Sequence, residues 1–315
     1  MQTGVALISV LLIVALVVAI TYQLMTRHSL VISKTQQVLS SDQAISYALG
    51  GEAYARQILF EDWNNPSTRE MDTLTEAWAQ PMQPFELENG FLEIYLVDLN
   101  GRFNLNSLAG PKAQQNLTRL KLLLRNSGQD ETIADAWKDW IDEDQEVTGF
   151  GAEDSTYLLR EVPYRTANQI AGDPSELRTV NGVSPELLDS IEESVCALPD
   201  TTLKVNINTA TLATLSAITP ALSPAKAQSL IESPREFPDL AAVIQEVPEL
   251  GQSGEVVTVG SEYFEIHVRA EIHDTWAELT SVVHRDPGNG HMRVIHRNFG
   301  KRFRSRFASL EEVGP

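Results

Sequence analysis

An uninterrupted apolar run at the start of the chain constrains the fold more than any other feature. Residues 5–20 read VALISVLLIVALVVAI, which is apolar except for Ser9, and the first charged side chain is Arg27. As an α-helix, 16 to 20 residues extend roughly 24–30 Å, about the thickness of one bilayer hydrocarbon core. Three interpretations compete: a cleaved secretory signal with a small-residue site at residues 17–19, a plain membrane anchor, and the apolar half of a pilin-type helix.

The residues after the apolar run favour the third interpretation. From Arg27 onward, apolar side chains recur at helical spacing, as at Val31, Val38, Ile45 and Leu49, and the pattern ends at the sequence DWNNP of residues 62–66. A secretory signal would normally be followed by a cleavage loop. We therefore expect one helix with a transmembrane part at residues 5–26 and an amphipathic continuation at residues 27–65, whose apolar stripe packs on a head domain.

Charge and composition argue against nucleic-acid binding and catalysis. The chain has 43 acidic and 24 basic side chains, a net charge of −19, and its field repels nucleic acid. The single cysteine, Cys196, excludes an intramolecular disulfide and is more typical of a buried packing residue than of a nucleophile. The six histidines lack metalloprotease spacing, and the sequence shows no phosphate-binding loop or nucleophile elbow. We expect no enzyme.

The body of the chain predicts an α+β fold. Asn89-Gly90 and Asn100-Gly101 predict a three-stranded meander within residues 84–106, and residues 262–270, 277–284 and 292–297 also predict strands. Between these regions lies a helix-rich stretch. We expect a long N-terminal helix packed on a small antiparallel sheet, with a large all-helical inserted domain. The expected boundaries are a head at residues 66–107 and 256–300, an insertion at residues 108–255 and a tail at residues 301–315.

Two segments of the insertion resemble helix-hairpin-helix or SAM-like units, one within residues 108–200 and one within residues 201–255. Asn208 and Thr209 are expected to cap the helix that follows them. The second hairpin, residues 218–224, has no glycine that would let its backbone approach a phosphate, and its surroundings are acidic. We interpret these units as scaffold. The alternative is a membrane-anchored helix-hairpin-helix protein of DNA uptake, which would need a basic patch around the hairpins.

An acidic stretch predicts a calcium site. Between Asp130 and Glu161 there are 11 acidic and two basic residues. Crowded carboxylates repel, and calcium takes six to eight oxygen ligands, so it suits such a cluster. The spacing is that of an EF-hand loop, but Val147 stands where such a loop needs glycine. The alternative is a solvated acidic loop. The candidate ligands are Asp142, Asp144, Glu146, Glu153 and Asp154.

Several short motifs together resemble one known family. Gly4 followed directly by an apolar helix resembles a prepilin peptidase site, and four further motifs are GRFNLN at residues 101–106, DWID at 139–142, GAED at 151–154 and VNINTA at 205–210. Over nearly the whole chain the sequence resembles the protein K family of the bacterial type II secretion system, the large minor pseudopilins. The resemblance implies a pilin-like fold with a helical insertion, bound calcium, and cleavage between Gly4 and Val5 with methylation of the new amine.

The same resemblance implies a place at the tip of the pseudopilus. The implied partners are the minor pseudopilins I and J, then H and the major pseudopilin G. The implied location is the inner membrane, crossed once, with the bulk of the chain in the periplasm. Ser9 stands at the fifth mature position, where most pilin-like subunits carry Glu, and this departure is typical of the family. Val31, Val38 and Ile45 are expected to contact partner helices.

The leader, residues 1–4, has no Lys or Arg, whereas prepilin leaders are basic. Arg27, His28 and Lys34 lie on the other flank of the apolar run, so the positive-inside rule alone gives the opposite orientation. We expect that the natural chain begins upstream of Met1.

Overall fold

The structure, a computed structural model, describes residues 3–305. The first two residues of the expected leader and residues 306–315 of the expected tail lie outside the described part. The described helices are α1 (Thr3–Asn64), α2 (Ala113–Asn126), α3 (Ile133–Ile141), α4 (Asp154–Tyr157), α5 (Pro185–Ile191), α6 (Leu212–Ile218), α7 (Pro224–Glu232) and α8 (Leu240–Glu246). Short 3₁₀ segments occur at Leu105–Ala109, Pro174–Thr179, Glu192–Ser194 and Pro248–Ser253.

The strands form one five-stranded sheet and two small pairs. They are β1 (Phe85–Leu87), β2 (Gly90–Asp98), β3 (Phe103–Asn104), β4 (Val195–Cys196), β5 (Val205–Asn206), β6 (Val257–Thr258), β7 (Tyr263–Ile272), β8 (Thr275–Arg285) and β9 (Met292–Asn298). The sheet has the order β1-β2-β7-β8-β9 and is antiparallel throughout. The predicted long helix and small antiparallel sheet are therefore confirmed.

The predicted three-stranded meander is wrong. Asn89 does turn β1 into β2, but β3 leaves the sheet and pairs in parallel with β4. Asn100 explains the difference, because its side-chain oxygen accepts hydrogen bonds from the backbone N–H groups of Glu262 and Tyr263. These bonds attach the end of β2 to the start of β7, so the second Asn-Gly pair directs the chain away from the sheet.

Small residues bring α1 close to the sheet. Ala44, Ala48 and Ala55 are fully buried. A Cβ atom on Gly51 would lie 2.8 Å from Cγ1 of Val268 on β7, so this position of the helix has room only for glycine. Alanine and glycine let the two backbones approach closely, and the helix face that packs on the sheet is therefore a small-residue face.

The expected apolar stripe does not form this packing face. Val31 and Val38 are about 60% exposed. Ile45 and Leu49 lie beside the buried face of the helix and are also exposed. The apolar pattern of this helix packs on the chain's own head only at its far end, where Leu59 is fully buried and Ile58 packs beside it. For the stripe from Val31 to Leu49 the expectation is wrong, because alanines one position away from Ile45 and Leu49 occupy the sheet-facing side. The stripe faces outward instead.

Two main hydrophobic cores lie on either side of the junction between Asp98 and Tyr263. One core joins α1 to the sheet through residues such as Trp78 and Phe264. The other fills the region between β2 and β7, where α2 to α8 lie. This region also contains the parallel pairs β3–β4 and β5–β6, so it is not all helical. Phe103 and Val257, which the sequence boundaries assign to the head, pack in this second core.

The helical region is attached at the end of the sheet that lies beside the end of α1. Arg285 donates hydrogen bonds to Asp62, near the end of α1 (3.0 Å), and to the backbone oxygen of Ser261, just before β7 (2.9 Å). At 1.5 Å per residue, Asp62 is roughly 55 Å along the helix from Thr26. The helical region therefore lies at the end of α1 that is remote from the apolar N-terminal run.

Candidate functional site

The candidate metal site lies between α3 and α4, both fixed by buried aromatic rings. Trp137 of α3 is fully buried, and its Nε1–H donates to the backbone oxygen of Leu105 (3.1 Å). The ring of Trp140 packs edge-to-face on Tyr157 of α4, with centroids 5.4 Å apart. Because both rings belong to the core, the end of α3 and the start of α4 are held in fixed relation.

Three of the predicted ligands come together at this junction. Asp142 directly follows α3, Glu153 directly precedes α4, and Asp144 lies in the loop between them. One carboxylate oxygen of each residue lies within 4.8 Å of those of the other two. A hard cation with oxygen ligands is the species that such an arrangement accommodates.

Glu153 is the most isolated carboxyl group of this cluster. Its side chain is 2% exposed, and both carboxylate oxygens are buried without a hydrogen-bond donor among the described residues. Burial, and then the negative charges of the aspartates at positions 139, 142, 144 and 154, raises the pKa of Glu153 to about 7. Oδ1 of Asp142 is likewise buried without a donor. Asp142 has Lys138 as an ion-pair partner through its other oxygen, whereas the charged form of Glu153 has no donor among the described residues.

The loop between the two helices is built around the carboxylate of Asp139. This side chain is fully buried and accepts a hydrogen bond from the backbone N–H of Thr148 (3.0 Å). A Cβ atom on Gly151 would lie 2.0 Å from Oδ2 of Asp139, so glycine is required where the loop passes it. Lys138 donates to Oγ1 of Thr148 and to Oδ2 of Asp142. The sequence pattern did not predict that Asp139 and Gly151 position this loop, although Asp139 belongs to the DWID motif and Gly151 to the GAED motif.

The other two predicted ligands lie elsewhere. The carboxylate of Asp154 accepts hydrogen bonds from Thr166 (3.0 Å) and pairs with Arg165 (2.7 Å). Glu146 is exposed, and its backbone N–H donates to Asp144. Neither carboxylate belongs to the described cluster. Asp154 instead joins the loop after α4 to the start of α4.

The asparagines of the VNINTA motif fasten the helical region to the head. Asp98, at the end of β2, is buried, and its carboxylate accepts hydrogen bonds from Asn206 (3.0 Å), Thr209 (2.5 Å) and Ser261 (2.6 Å). Asn206 also donates to the backbone oxygen of Asp72 (3.0 Å). The motif is thus a polar fastening at the attachment point of the helical region.

Two expected helix caps are wrong. Asn208 exchanges hydrogen bonds with the backbone N–H and C=O of Phe237, and Thr209 donates to Asp98. The cap of α6 is Thr211, whose hydroxyl accepts from the backbone N–H of Thr214 (3.2 Å). Asn208 and Thr209 therefore bond to partners that are distant in sequence, and they do not cap α6.

Cys196 is a packing residue. It is 2% exposed, and its Sγ–H donates to the backbone oxygen of Leu99 (3.4 Å). Burial raises the pKa of this thiol far above its usual range. A covered and neutral thiol is inert, as the sequence suggested.

A second candidate surface runs along α1. The helix contains a segment long and apolar enough to cross a membrane, and no part of this apolar segment is buried against the rest of the protein. Ser9 lies on the exposed helix in this segment. The expected processing junction between Gly4 and Val5 lies in the first turns of α1, and the surroundings of these two residues are outside the described part.

Comparisons with known proteins agree on one family. The family model described as type II secretion system (T2SS), protein K, matches residues 101–200. The type II secretion system protein K of Pseudomonas aeruginosa is 36% identical over 95% of this chain and 93% of its own length. That of Pectobacterium carotovorum subsp. carotovorum is 32% identical over 95% and 97%.

A solved structure is also similar. It is the crystal structure of the GspK-GspI-GspJ complex from the enterotoxigenic Escherichia coli type 2 secretion system. The matched chain is 28% identical, with a TM-score of 0.74, over 86% of this chain and 99% of that chain. The resemblance seen in the motifs is thus confirmed over most of the chain by sequence and by fold. The chain belongs to the protein K family of the type II secretion system, whose members are minor pseudopilins.

Proposed function

We propose that this minor pseudopilin caps the tip of the type II secretion pseudopilus, helps to start its assembly, and thereby supports export of folded periplasmic proteins across the outer membrane. The observation that carries the proposal is the position of the helical region. It is attached beside Asp62, roughly 55 Å along α1 from Thr26, the end of the expected transmembrane part. A subunit whose bulk lies at that end leaves no room for another subunit above it.

Ser9 supports the same position. In pilin-like fibres, a carboxylate at the fifth mature position is thought to pair with the N-terminal amine of a neighbouring subunit. Ser9 has no carboxylate, so it cannot form that ion pair. The topmost subunit of a fibre has no neighbour above it, so no N-terminal amine there needs a carboxylate partner.

The outward stripe of α1 supports helix-to-helix contacts with partner subunits. Val31, Val38 and Ile45 are exposed on a helix with few charges of its own between residues 27 and 45. An apolar stripe of this kind is covered by another apolar helix in an assembly. Because the similar solved chain is in complex with GspI and GspJ, the partners that we propose are the minor pseudopilins I and J, followed by H and the major pseudopilin G.

We further propose that the apolar run anchors the chain in the inner membrane as a single-pass protein, with the head and helical region in the periplasm; the support is one helix long and apolar enough to cross a membrane. Prepilin peptidase would remove the leader at Gly4–Val5 and methylate the new amine. Within the helical region we propose two SAM-like units, at about residues 108–200 and 201–255. The acidic surface gives the DNA-uptake alternative no support, since a net charge of −19 opposes nucleic-acid binding.

Co-purification with tagged pseudopilins I and J from membranes tests the proposed contacts. Changing Val38 and Ile45 to Asp should reduce recovery of the complex strongly, because two desolvated charges would face the partner helix. Gln36→Asp with Gln43→Asp is the matched control, since it adds the same charge on exposed positions of the opposite helix face. Equal losses in both double variants, or recovery unaffected by the first, would contradict the proposed interface.

We also propose that Asp142, Asp144 and Glu153 hold a calcium ion. Three ionised carboxylates bring a formal charge of −3 into a partly buried site, of which Lys138 offsets one, and Glu153 has no donor among the described residues to balance its share. When bound, a calcium ion would supply that compensating charge and accept further oxygens from backbone or water. Metal analysis of the purified protein after gel filtration tests the proposal. Near-stoichiometric calcium that is lost in Glu153→Gln and kept in Glu146→Gln would support it, and a metal-free wild type would contradict it.

A further inference from the structure

The face of the sheet that α1 does not cover carries an unusual set of buried polar side chains. On β2 and β7, the residues that alternate with the core residues are Glu93, Tyr95, Glu265 and His267. Glu93, Glu265 and His267 are each no more than 5% exposed. Charged residues on the second face of an antiparallel sheet would ordinarily be solvated, so another element must cover them.

That element is the segment of residues 299–305, which we call the strap. It leaves the edge strand β9 and crosses the polar face. Its contacts are hydrogen bonds from Lys301 Nζ to Glu265 (2.6 Å), from Ser305 Oγ to Glu93 (2.8 Å) and from the Phe303 backbone N–H to Glu278 (3.2 Å), with the Phe303 ring 5.2 Å from that of Tyr95. The strap, which carries basic and aromatic side chains, therefore contacts three acidic residues of the sheet.

The strap is held differently from the rest of the head. It belongs to no strand of the sheet, and the core beneath α1 lies on the opposite face. Two cavities of about 400 and 760 Å³ adjoin it, and both are lined by Lys301, Arg302 and Arg304. The strap is thus held by ionic and hydrogen-bond contacts and by the ring of Phe303 against Tyr95, with open space on both sides.

The surface beneath the strap keeps partners of its own. Glu265 lies 3.0 Å from His267 and 3.6 Å from Arg102. Against the effect of burial, the hydrogen bond with His267 and the charges of Arg102 and of the strap's own Lys301 hold the pKa of Glu265 well below the usual range. The ring of Tyr95 stacks on His267, with centroids 4.4 Å apart. The surface can thus persist as a charged, aromatic cradle when the strap leaves.

We propose that this face of the sheet is a peptide-binding cradle for a short basic segment with an aromatic ring that contacts Tyr95, and that the chain's own strap, through Phe303, is its releasable ligand. Arg304 of the strap also pairs with Glu192 in the helical region (3.1 Å). Release of the strap therefore removes an ionic link between the sheet and the helical region. Because the strap's contacts are ionic and partly exposed, salt should weaken the binding of the strap to the sheet.

Hydrogen exchange on the full chain in detergent tests the release directly. The backbone N–H of Phe303 should exchange at least about a hundredfold faster than those of β7, and faster still when NaCl is raised from about 50 to 500 mM. Exchange of Phe303 as slow as that of β7 at both salt concentrations would show that the strap is an integral part of the fold and would overturn the proposal.

A labelled peptide with the strap sequence, FGKRFRS, tests the cradle. It should bind the chain truncated after Asn298 and bind the full chain at least about tenfold more weakly, because there the resident strap competes. The control peptide FGERSRS, with the charge at the Lys301 position reversed and the ring removed, should not bind. Equal binding to both chains, or no binding to a folded truncated chain, would refute the cradle. If the truncated chain fails to fold, the exchange measurement decides.

Discussion

Removing the proposed cation should add a pH dependence to the stability of this protein that comes from Glu153. In the metal-free protein, the folded-state pKa of Glu153 is about 7, against an ordinary value of 4.5. A carboxyl group with a raised folded pKa contributes stability that is fully present below pH 4.5 and is lost as the pH rises through 7. At 1.36 kcal/mol per pKa unit, the loss is about 3 kcal/mol.

Bound calcium should reverse the trend, because the ion requires the deprotonated carboxylates. Thermal unfolding of the detergent-solubilised chain between about pH 4.5 and 7, in EDTA or in saturating calcium, measures the pH dependence of stability without and with the ion. The gap between the two melting curves should widen as the pH rises. Glu153→Gln should remove about 3 kcal/mol of the decline in EDTA, which is the share of Glu153, and most of the stabilisation by calcium. The rest of the decline belongs to other buried carboxyl groups, because burial also raises the pKa of Asp72 and that of Glu76 to about 7.

Glu146→Gln is the control for this experiment, since that exposed residue lies outside the cluster. It should leave both pH profiles close to those of the wild type. A metal-free wild type whose melting temperature does not fall over this pH range would refute the assignment of the raised pKa to Glu153. A calcium response that survives in Glu153→Gln would refute its role as a ligand.

Two further predictions concern α1. Mass spectrometry of natural-length protein from peptidase-positive membranes should find a methylated Val5 as the first residue, and cleavage near residue 19 would contradict a pilin-type helix. Gly51→Ala should destabilise the head or give no gain, because its Cβ would lie 2.8 Å from Val268, whereas Gly50→Ala, with open space around it, should stabilise the helix by about 0.5–1 kcal/mol. Equal shifts in melting temperature for the two variants would contradict the close helix–sheet approach.

The length of α1 and the positions of β7 to β9 could be predicted from periodicity alone, because long regular elements carry strong patterns. The face of α1 that packs on the sheet could not. Ala44, Ala48 and Gly51 have little hydrophobicity, so a search for large apolar residues selects Ile45 and Leu49, which are exposed. Small residues that permit a close approach leave almost no signal in a hydrophobic pattern.

The candidate metal site was only partly predictable for a related reason. Alternation and charge density selected Asp142 and Glu153, which lie at the facing ends of two helices, and Asp144 in the loop between them, and the three carboxylates lie close together. Asp154 is adjacent to Glu153 in sequence, yet Thr166 takes its carboxylate away from the cluster. Such a partner is distant in sequence, as are the strands β2 and β7 that pair across the helical region, and local patterns do not specify it.

Immunogold labelling of overproduced pseudopili tests the central claim, that this chain caps the fibre. An antibody against the helical region should label one end of each filament, since that region lies at the end of α1 remote from the membrane-spanning run. Labelling distributed along the shaft would contradict the tip assignment, even though the chain would remain a member of the protein K family.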